Sequence, residues 1–134
     1  MNRLLCFLFV MVLYVGLCNA QFGKKNSLHF KNSLSPGPGK DLSVYCTFNK
    51  ETLGSIDLNP GETYDYSFHG KFDFKNKIDC IFRRESFYAK IRAFESGSGV
   101  FDHGKKNFWD AKEDGIYFTH GKKVPKLEYT WISN

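Results

Sequence analysis

Little in this 134-residue sequence advertises metal binding or covalent chemistry. Its four cysteines and four histidines have no paired metal-ligand spacing. It has no Gly-rich phosphate loop after a strand, no His-Glu-x-x-His and no Gly-x-Ser-x-Gly. An enzyme must bring a base, a nucleophile or a metal to one place, and no motif here does so. The expectation is therefore a protein that is not an enzyme and needs no cofactor. No Asn-x-Ser/Thr triplet occurs, so no N-glycan is expected. Convincing helical periodicity, internal repeats and linkers are also missing.

Long hydrophobic runs are confined to the start. Leu4 to Leu17 is almost wholly apolar, follows Arg3 and precedes Cys18-Asn19-Ala20. This reads as a signal peptide over residues 1–20, cut before Gln21. The alternative, a membrane anchor, is disfavoured because a span takes roughly 20 apolar residues. The mature chain, residues 21–134, is then a single secreted, extracellular domain with no membrane insertion. Cys6 and Cys18 leave with the leader, so Cys46 and Cys80 are the only thiols remaining. In an oxidising compartment they most simply form one disulfide; two buried free thiols are the alternative.

Aromatic residues are abundant. The mature part holds twelve Phe, six Tyr and both Trp, enough for a dense core in a small domain. They fall on a period of two. Leu28, Phe30 and Leu34 alternate with His29, Lys31 and Ser33, while Asn32 interrupts the apolar face. Leu42, Val44, Cys46 and Phe48 alternate with polar residues, as do Tyr64, Tyr66 and Phe68. Ile78, Cys80 and Phe82 follow, then Phe87, Ala89, Ile91 and Ala93. The last are Phe108 to Ala111, Ile116 to His120, and Leu127, Tyr129 and Trp131. Between them lie breaks such as Ser35-Pro36-Gly37-Pro38-Gly39-Lys40 and the hairpin signal Glu113-Asp114-Gly115. Asn49 to Glu62 reads as a long loop. About eight short strands predict an all-β fold, an antiparallel β-sandwich, with a closed barrel as the rival.

Several stretches together resemble the plant self-incompatibility protein family, the S-protein homologues. They are Leu42-Ser43-Val44-Tyr45-Cys46, Leu53-Gly54, Tyr64-Asp65-Tyr66-Ser67-Phe68 and Cys80-Ile81-Phe82. Trp109-Asp110-Ala111-Lys112-Glu113-Asp114-Gly115-Ile116-Tyr117 and the closing Tyr129-Thr130-Trp131 complete the pattern, which covers about Leu28 to Trp131. The resemblance implies small secreted plant proteins with a β-sandwich fold. Its founding members are recognition ligands read by a pollen membrane receptor. It carries over no catalytic residue. Many members have a second cysteine pair before the tryptophan; Phe101 to Phe108 here has none, which leaves Cys46 and Cys80 as each other's only partner.

The candidate site comes from strand parity. If eight strands alternate up and down, Ser35–Lys40, His69–Lys77, Ser96–Lys106 and Gly121–Lys126 share one end. That end would hold Lys40, Lys71, Lys75, Lys77, Lys105, Lys106, Lys122, Lys123 and Lys126 against Asp73 and Asp102, a net +7. The other end, with Asn49–Glu62, Glu85–Ser86 and Glu113–Gly115, would carry −5. Such a field steers an anionic partner. Phe72 and Phe74 either tuck onto the core edge or add an exposed aromatic anchor. The expected function is an extracellular recognition ligand, monomeric, for a cell-surface receptor or an acidic cell-wall polysaccharide. A basic defence protein is the alternative, and a secreted hydrolase using two of the histidines with a lysine is a third. His29 sits on the outer face of a strand; His69 and His103 fall in loops. Nucleic acid is not an expected partner outside the cell.

Overall fold

The computed structural model describes residues 25–69, 76–96 and 106–134. The leader, residues 1–20, lies outside them. Ten strands follow in order: β1 Lys25–Asn32, β2 Leu42–Phe48, β3 Glu51–Leu58, β4 Thr63–His69, β5 Lys77–Arg84, β6 Phe87–Glu95, β7 Lys106–Lys112, β8 Gly115–His120, β9 Lys126–Tyr129 and β10 Ile132–Ser133. They form two five-stranded sheets, β4-β1-β7-β8-β9 and β10-β6-β5-β2-β3. Among the described residues no helix is long and apolar enough to cross a membrane.

The alternating patterns did their expected work. Leu42, Val44 and Cys46 of β2, Ile78, Cys80 and Phe82 of β5, and Ala89, Ile91 and Ala93 of β6 all point into one core. Leu28 and Phe30 of β1, Trp109 and Ala111 of β7 and Ile116 and Phe118 of β8 face them from the other sheet. Edge-to-face ring pairs join the layers, Phe30 on Phe82 at 5.6 Å and Phe68 on Phe94 at 4.8 Å. Trp109 also donates its indole N–H across the gap to Ala93 O at 3.0 Å. Two facing sheets with one shared core make a sandwich rather than a closed barrel.

The strand count of eight is corrected to ten. The stretch from Asn49 to Glu62 is not one loop. Asn49 and Lys50 turn with φ of 50° and 74°, and β3 runs back along β2 from Phe48↔Glu51. Positive φ at both central residues is a type I′ hairpin turn, normally written Asn-Gly. The second new strand, β10, is two residues paired to the start of β6. Nor is every pair antiparallel, since β1 lies parallel to β7. The chain leaves β1, crosses to the second sheet for β2 and β3, returns as β4, crosses again for β5 and β6, and comes back to β7 in the direction of β1.

Cys46 and Cys80 are direct register partners on β2 and β5, bonded to each other with Cα atoms 4.1 Å apart. The disulfide therefore ties two neighbours of one sheet, not the two sheets. It sits beneath the core cluster, with both cysteines buried.

Asn32 is fully buried and inward-facing. Its Nδ2 donates to Lys40 O at 2.8 Å and to Leu58 O at 2.9 Å, while its Oδ1 accepts from Leu34 N at 2.9 Å. Its backbone pairs with Glu62 O and Gly61 N. One amide thus fastens the β1–β2 and β3–β4 crossings together at one end of the sandwich. Trp131 and Phe87 flank the Arg84 guanidinium at that same end, 4.9 and 5.0 Å from it.

Candidate functional site: a lysine-rich end

Strand direction sorts the connections. β1, β3, β5 and β7 all finish at the end that carries 33–41, 59–62, 85–86 and 113–114. The opposite end holds the Asn49–Lys50 turn, the 121–125 turn and the anchors from which 70–75 and 97–105 depart. Those anchors are His69, Asn76, Ser96 and Lys106. His69 is the last residue of β4 rather than a loop residue.

Four predicted residues are described, and all four are exposed at this second end. Lys77 opens β5, Lys106 opens β7, and Lys122 and Lys123 lie in the turn before β9. Lys71, Phe72, Phe74, Lys75 and Lys105 lie outside the described residues, as does His103. One expected loop is misplaced. Ser35–Lys40 sits at the other end, because β3 adds a strand and reverses the parity of everything before it. Lys40 there is held by Glu113, Nζ to Oε1 at 3.1 Å.

The same extra strand brings in a residue that sequence reasoning missed. Lys50, exposed in the two-residue turn, joins Lys77, Lys106, Lys122, Lys123 and Lys126. The acids nearest them in the described chain are Glu51, Glu95 and Glu128; Glu95 is engaged by Arg92, and Glu128 lies 3.9 Å from the Lys126 ammonium. At the far end, Asp41, Glu62, Glu85, Glu113 and Asp114 outnumber Lys40, Arg84 and Lys112. Glu113 is held below the usual carboxylate range, first by the Ser35 backbone N–H and then by Lys40. It accepts from Ser35 N at 2.9 Å. The charge separation along the strands therefore survives the change in topology.

This end is a surface of ammonium groups on short turns, anchored by paired strands. Asn49 fixes its geometry: its backbone N–H donates to Lys77 O at 2.8 Å, and its Oδ1 accepts from Lys77 N at 2.7 Å. Gly121 N donates to Lys106 O at 2.8 Å. Such an arrangement attracts and orients anions. Among the described residues no cluster of three His, Cys, Asp or Glu side chains is placed to hold a metal. A separate apolar cavity of about 250 Å³ opens between the sheets where β3 and β4 face each other, rimmed by Leu53, Tyr64 and Tyr66. Burial, and then the neighbouring Tyr64, push the Tyr66 phenol up.

Known proteins bear on the whole chain. The model of the plant self-incompatibility protein S1 family matches residues 27–131. S-protein homolog 10 of Arabidopsis thaliana is 47% identical over 137 residues, covering 98% of this chain and 92% of the relative. S-protein homolog 9 of the same plant is 47% identical over 136 residues, with 98% and 99% covered. A solved self-incompatibility protein homologue superposes with a TM-score of 0.65 at 24% identity, over 84% of this chain and 99% of its own. It is described as one of a widespread family of small, highly stable, secreted proteins from plants. None of these names denotes an enzyme. The chain belongs to the plant self-incompatibility protein family, the S-protein homologues.

Proposed function

We propose that this chain is a secreted extracellular ligand that docks a cell-surface receptor through its lysine-rich end. The observation that carries the reading is the gathering of Lys50, Lys77, Lys106, Lys122, Lys123 and Lys126 at one end, opposite an acidic end. Electrostatic polarity of this kind sets partner approach and orientation more than final affinity. Lys71, Lys75 and Lys105, with Phe72 and Phe74, would extend the same surface. The protein acts as a monomer, and the reading asks no chemistry of it. It is secreted by loss of residues 1–20, so mass spectrometry of the secreted protein should place its N-terminus at Gln21. Retention of Leu4 to Leu17 would contradict this.

The test is association of labelled protein with plant cells. At about 0.15 M salt, where the screening length is about 8 Å, saturable binding at low concentration is expected. Changing Lys71, Lys75, Lys77, Lys105, Lys106, Lys122 and Lys123 to Gln should slow association and flatten its salt dependence. An unchanged association rate refutes the reading. Binding that does not saturate and is stripped off as salt rises would instead indicate a defence protein held on acidic cell-wall or microbial surfaces by charge alone.

A further inference from the structure

A serine, a histidine and an aspartate stand in one hydrogen-bonded line on the outer face of the first sheet. Ser27 and His29 are two apart on β1, so both side chains leave the same face. Asp65 lies directly opposite His29 on β4. The imidazole reaches both neighbours: Nε2 is 3.0 Å from Ser27 Oγ, and Nδ1 is 2.5 Å from Asp65 Oδ1. An ionised carboxylate can only accept a hydrogen bond. In the neutral imidazole Nδ1 therefore carries the hydrogen and donates to Asp65, and Nε2 presents its lone pair to the Ser27 hydroxyl. That is the polarity a nucleophile, a general base and an orienting acid require, on the same two ring nitrogens as in serine hydrolases of unrelated fold.

The surroundings hold this geometry. Phe108 of β7 is the register partner of His29 and stacks on its ring, centroids 5.2 Å apart and planes 15° from parallel. The His29 side chain is only 12% exposed, whereas Asp65 is 67% exposed. The base is thus fixed by packing, and the site is open to water-borne molecules. Lys106, the β7 partner of Ser27, projects from the same face and is exposed. As the register partner of Ser27 it is the cation on hand for developing negative charge, the electrostatic help such chemistry needs.

We propose that Ser27, His29 and Asp65 form an acyl-transfer site for short carboxylic esters, a role beyond the docking function that shares with it only Lys106. Ser27 Oγ bonds to the ester carbonyl carbon while its proton passes to His29 Nε2. The carbonyl oxygen becomes an oxyanion beside Lys106. The bond from carbon to the alcohol oxygen then breaks, and His29 Nε2 returns its proton to that oxygen. Water repeats the sequence against the acyl group on Ser27, releasing the acid and restoring the hydroxyl. Nothing is oxidised or reduced. Phe108 supplies an aromatic wall beside the base, and an open sheet face suits acetyl-sized groups rather than long chains. Ser27 and His29 are the catalytic residues; Asp65 is a positioning residue that acts through the imidazole.

The experiment uses the whole mature protein with its disulfide intact. The probes are a fluorophosphonate, which traps activated serines, and p-nitrophenyl acetate. Mass spectrometry should find the phosphonate on Ser27 alone. His29→Gln should slow labelling by roughly 100-fold or more, in line with the usual worth of a general base. Asp65→Asn, an exposed change, should slow labelling while leaving the unfolding midpoint in place. Acetate release should vanish in Ser27→Ala. No adduct on Ser27 in the native protein overturns the proposal. So does labelling of Ser27 at one rate in wild type, His29→Gln and Asp65→Asn.

Discussion

Replacing Asn32 by Ala should be among the most damaging single changes outside the apolar core. The side chain is fully buried and makes three hydrogen bonds, to Lys40 O, Leu58 O and Leu34 N. Truncation strands the Leu34 N–H and the Leu58 carbonyl in the interior; Lys40 O is nearer solvent. A buried polar group left without a partner costs about 1–3 kcal/mol, and a partly wet one about 1. The expected loss is therefore about 4 kcal/mol, a large share of the roughly 5–15 kcal/mol that holds a small domain folded. Urea unfolding followed by tryptophan fluorescence, with the disulfide kept oxidised, measures it from midpoint and slope. Asn59→Ala is the control, since Asn59 is exposed and bonds Glu62 only through its backbone; it should change stability by no more than about 0.5 kcal/mol. Asn32→Asp sharpens the argument. It keeps the acceptor for Leu34 N but, once ionised, removes both donations and buries a charge. Its native carboxyl should resist ionising, so the variant should be most stable in acid and lose stability as pH rises. A loss under about 1.5 kcal/mol in Asn32→Ala would refute the claim that this amide holds the crossings.

Three further outcomes follow from local geometry. Replacing Cys46 and Cys80 together by Ser should lower unfolding free energy by about 3–4 kcal/mol, for a bridge spanning 34 positions. Gly115 has a φ of 153°, and a Cβ there would lie 2.3 Å from Tyr129 O, so Gly115→Ala must push β9 from its place beside β8; a loss of about 1–3 kcal/mol is expected, with slowed amide-exchange protection lost first at Leu127 and Tyr129. The native pKa of Glu113 is depressed, so its contribution is present above the ordinary carboxylate range and disappears as pH falls through the native value. The gap in unfolding midpoint between wild type and Glu113→Gln should accordingly be widest near neutrality and close in acid; a gap that widens in acid would contradict the assignment.

Much of the fold was legible because the middle inward positions of the central strands are apolar, with buried polar residues such as Asn32, Arg84 and Asn107 placed at strand ends. β2 and β5 each place a cysteine between two hydrophobic residues at the same phase, and that shared phase is the disulfide register. β3 was illegible for a physical reason. It is an edge strand with Gly54 opposite Cys46 on its core face and a register shift just beyond, so its alternation is broken where the core face should be marked. Its turn also hides, because Lys50 takes the φ of 74° that sequence patterns assign to glycine. Asn32 was visible only as a flaw in an alternation. Its partners come from positions 40 and 58, and no local pattern names them. The candidate site was read from parity, which depends on every strand being counted; one missing hairpin was enough to send the Lys40 loop to the wrong end. The line from Ser27 through His29 to Asp65 was half visible, as a histidine on an outer face. The aspartate arrives only through the pairing of β1 with β4.

The charge separation outlasted that error, and its scale explains how it should act. Lys40 was the sole cation lost from the basic end among described residues, and at its true position Glu113 takes up its charge. Lys50 replaced it. Along the sandwich, seven residues of β2 at about 3.3 Å each put the two ends about 23 Å apart. The screening length is about 8 Å at 0.15 M salt and about 30 Å at 0.01 M. An anion approaching the lysine-rich end at physiological salt therefore lies nearly three screening lengths from the acidic end and responds to the near end alone. At low salt it responds to both ends. Changing Glu62, Glu85, Glu113 and Asp114 to their amides should then leave association with an immobilised polygalacturonate surface unchanged at 0.15 M and speed it at 0.01 M. Changing Lys77, Lys106, Lys122 and Lys123 to Gln should slow it at both. Surface plasmon resonance at the two salts gives the four rates. If the amide variant gains as much at high salt as at low salt, net charge governs approach and the placement of the lysines is irrelevant to it.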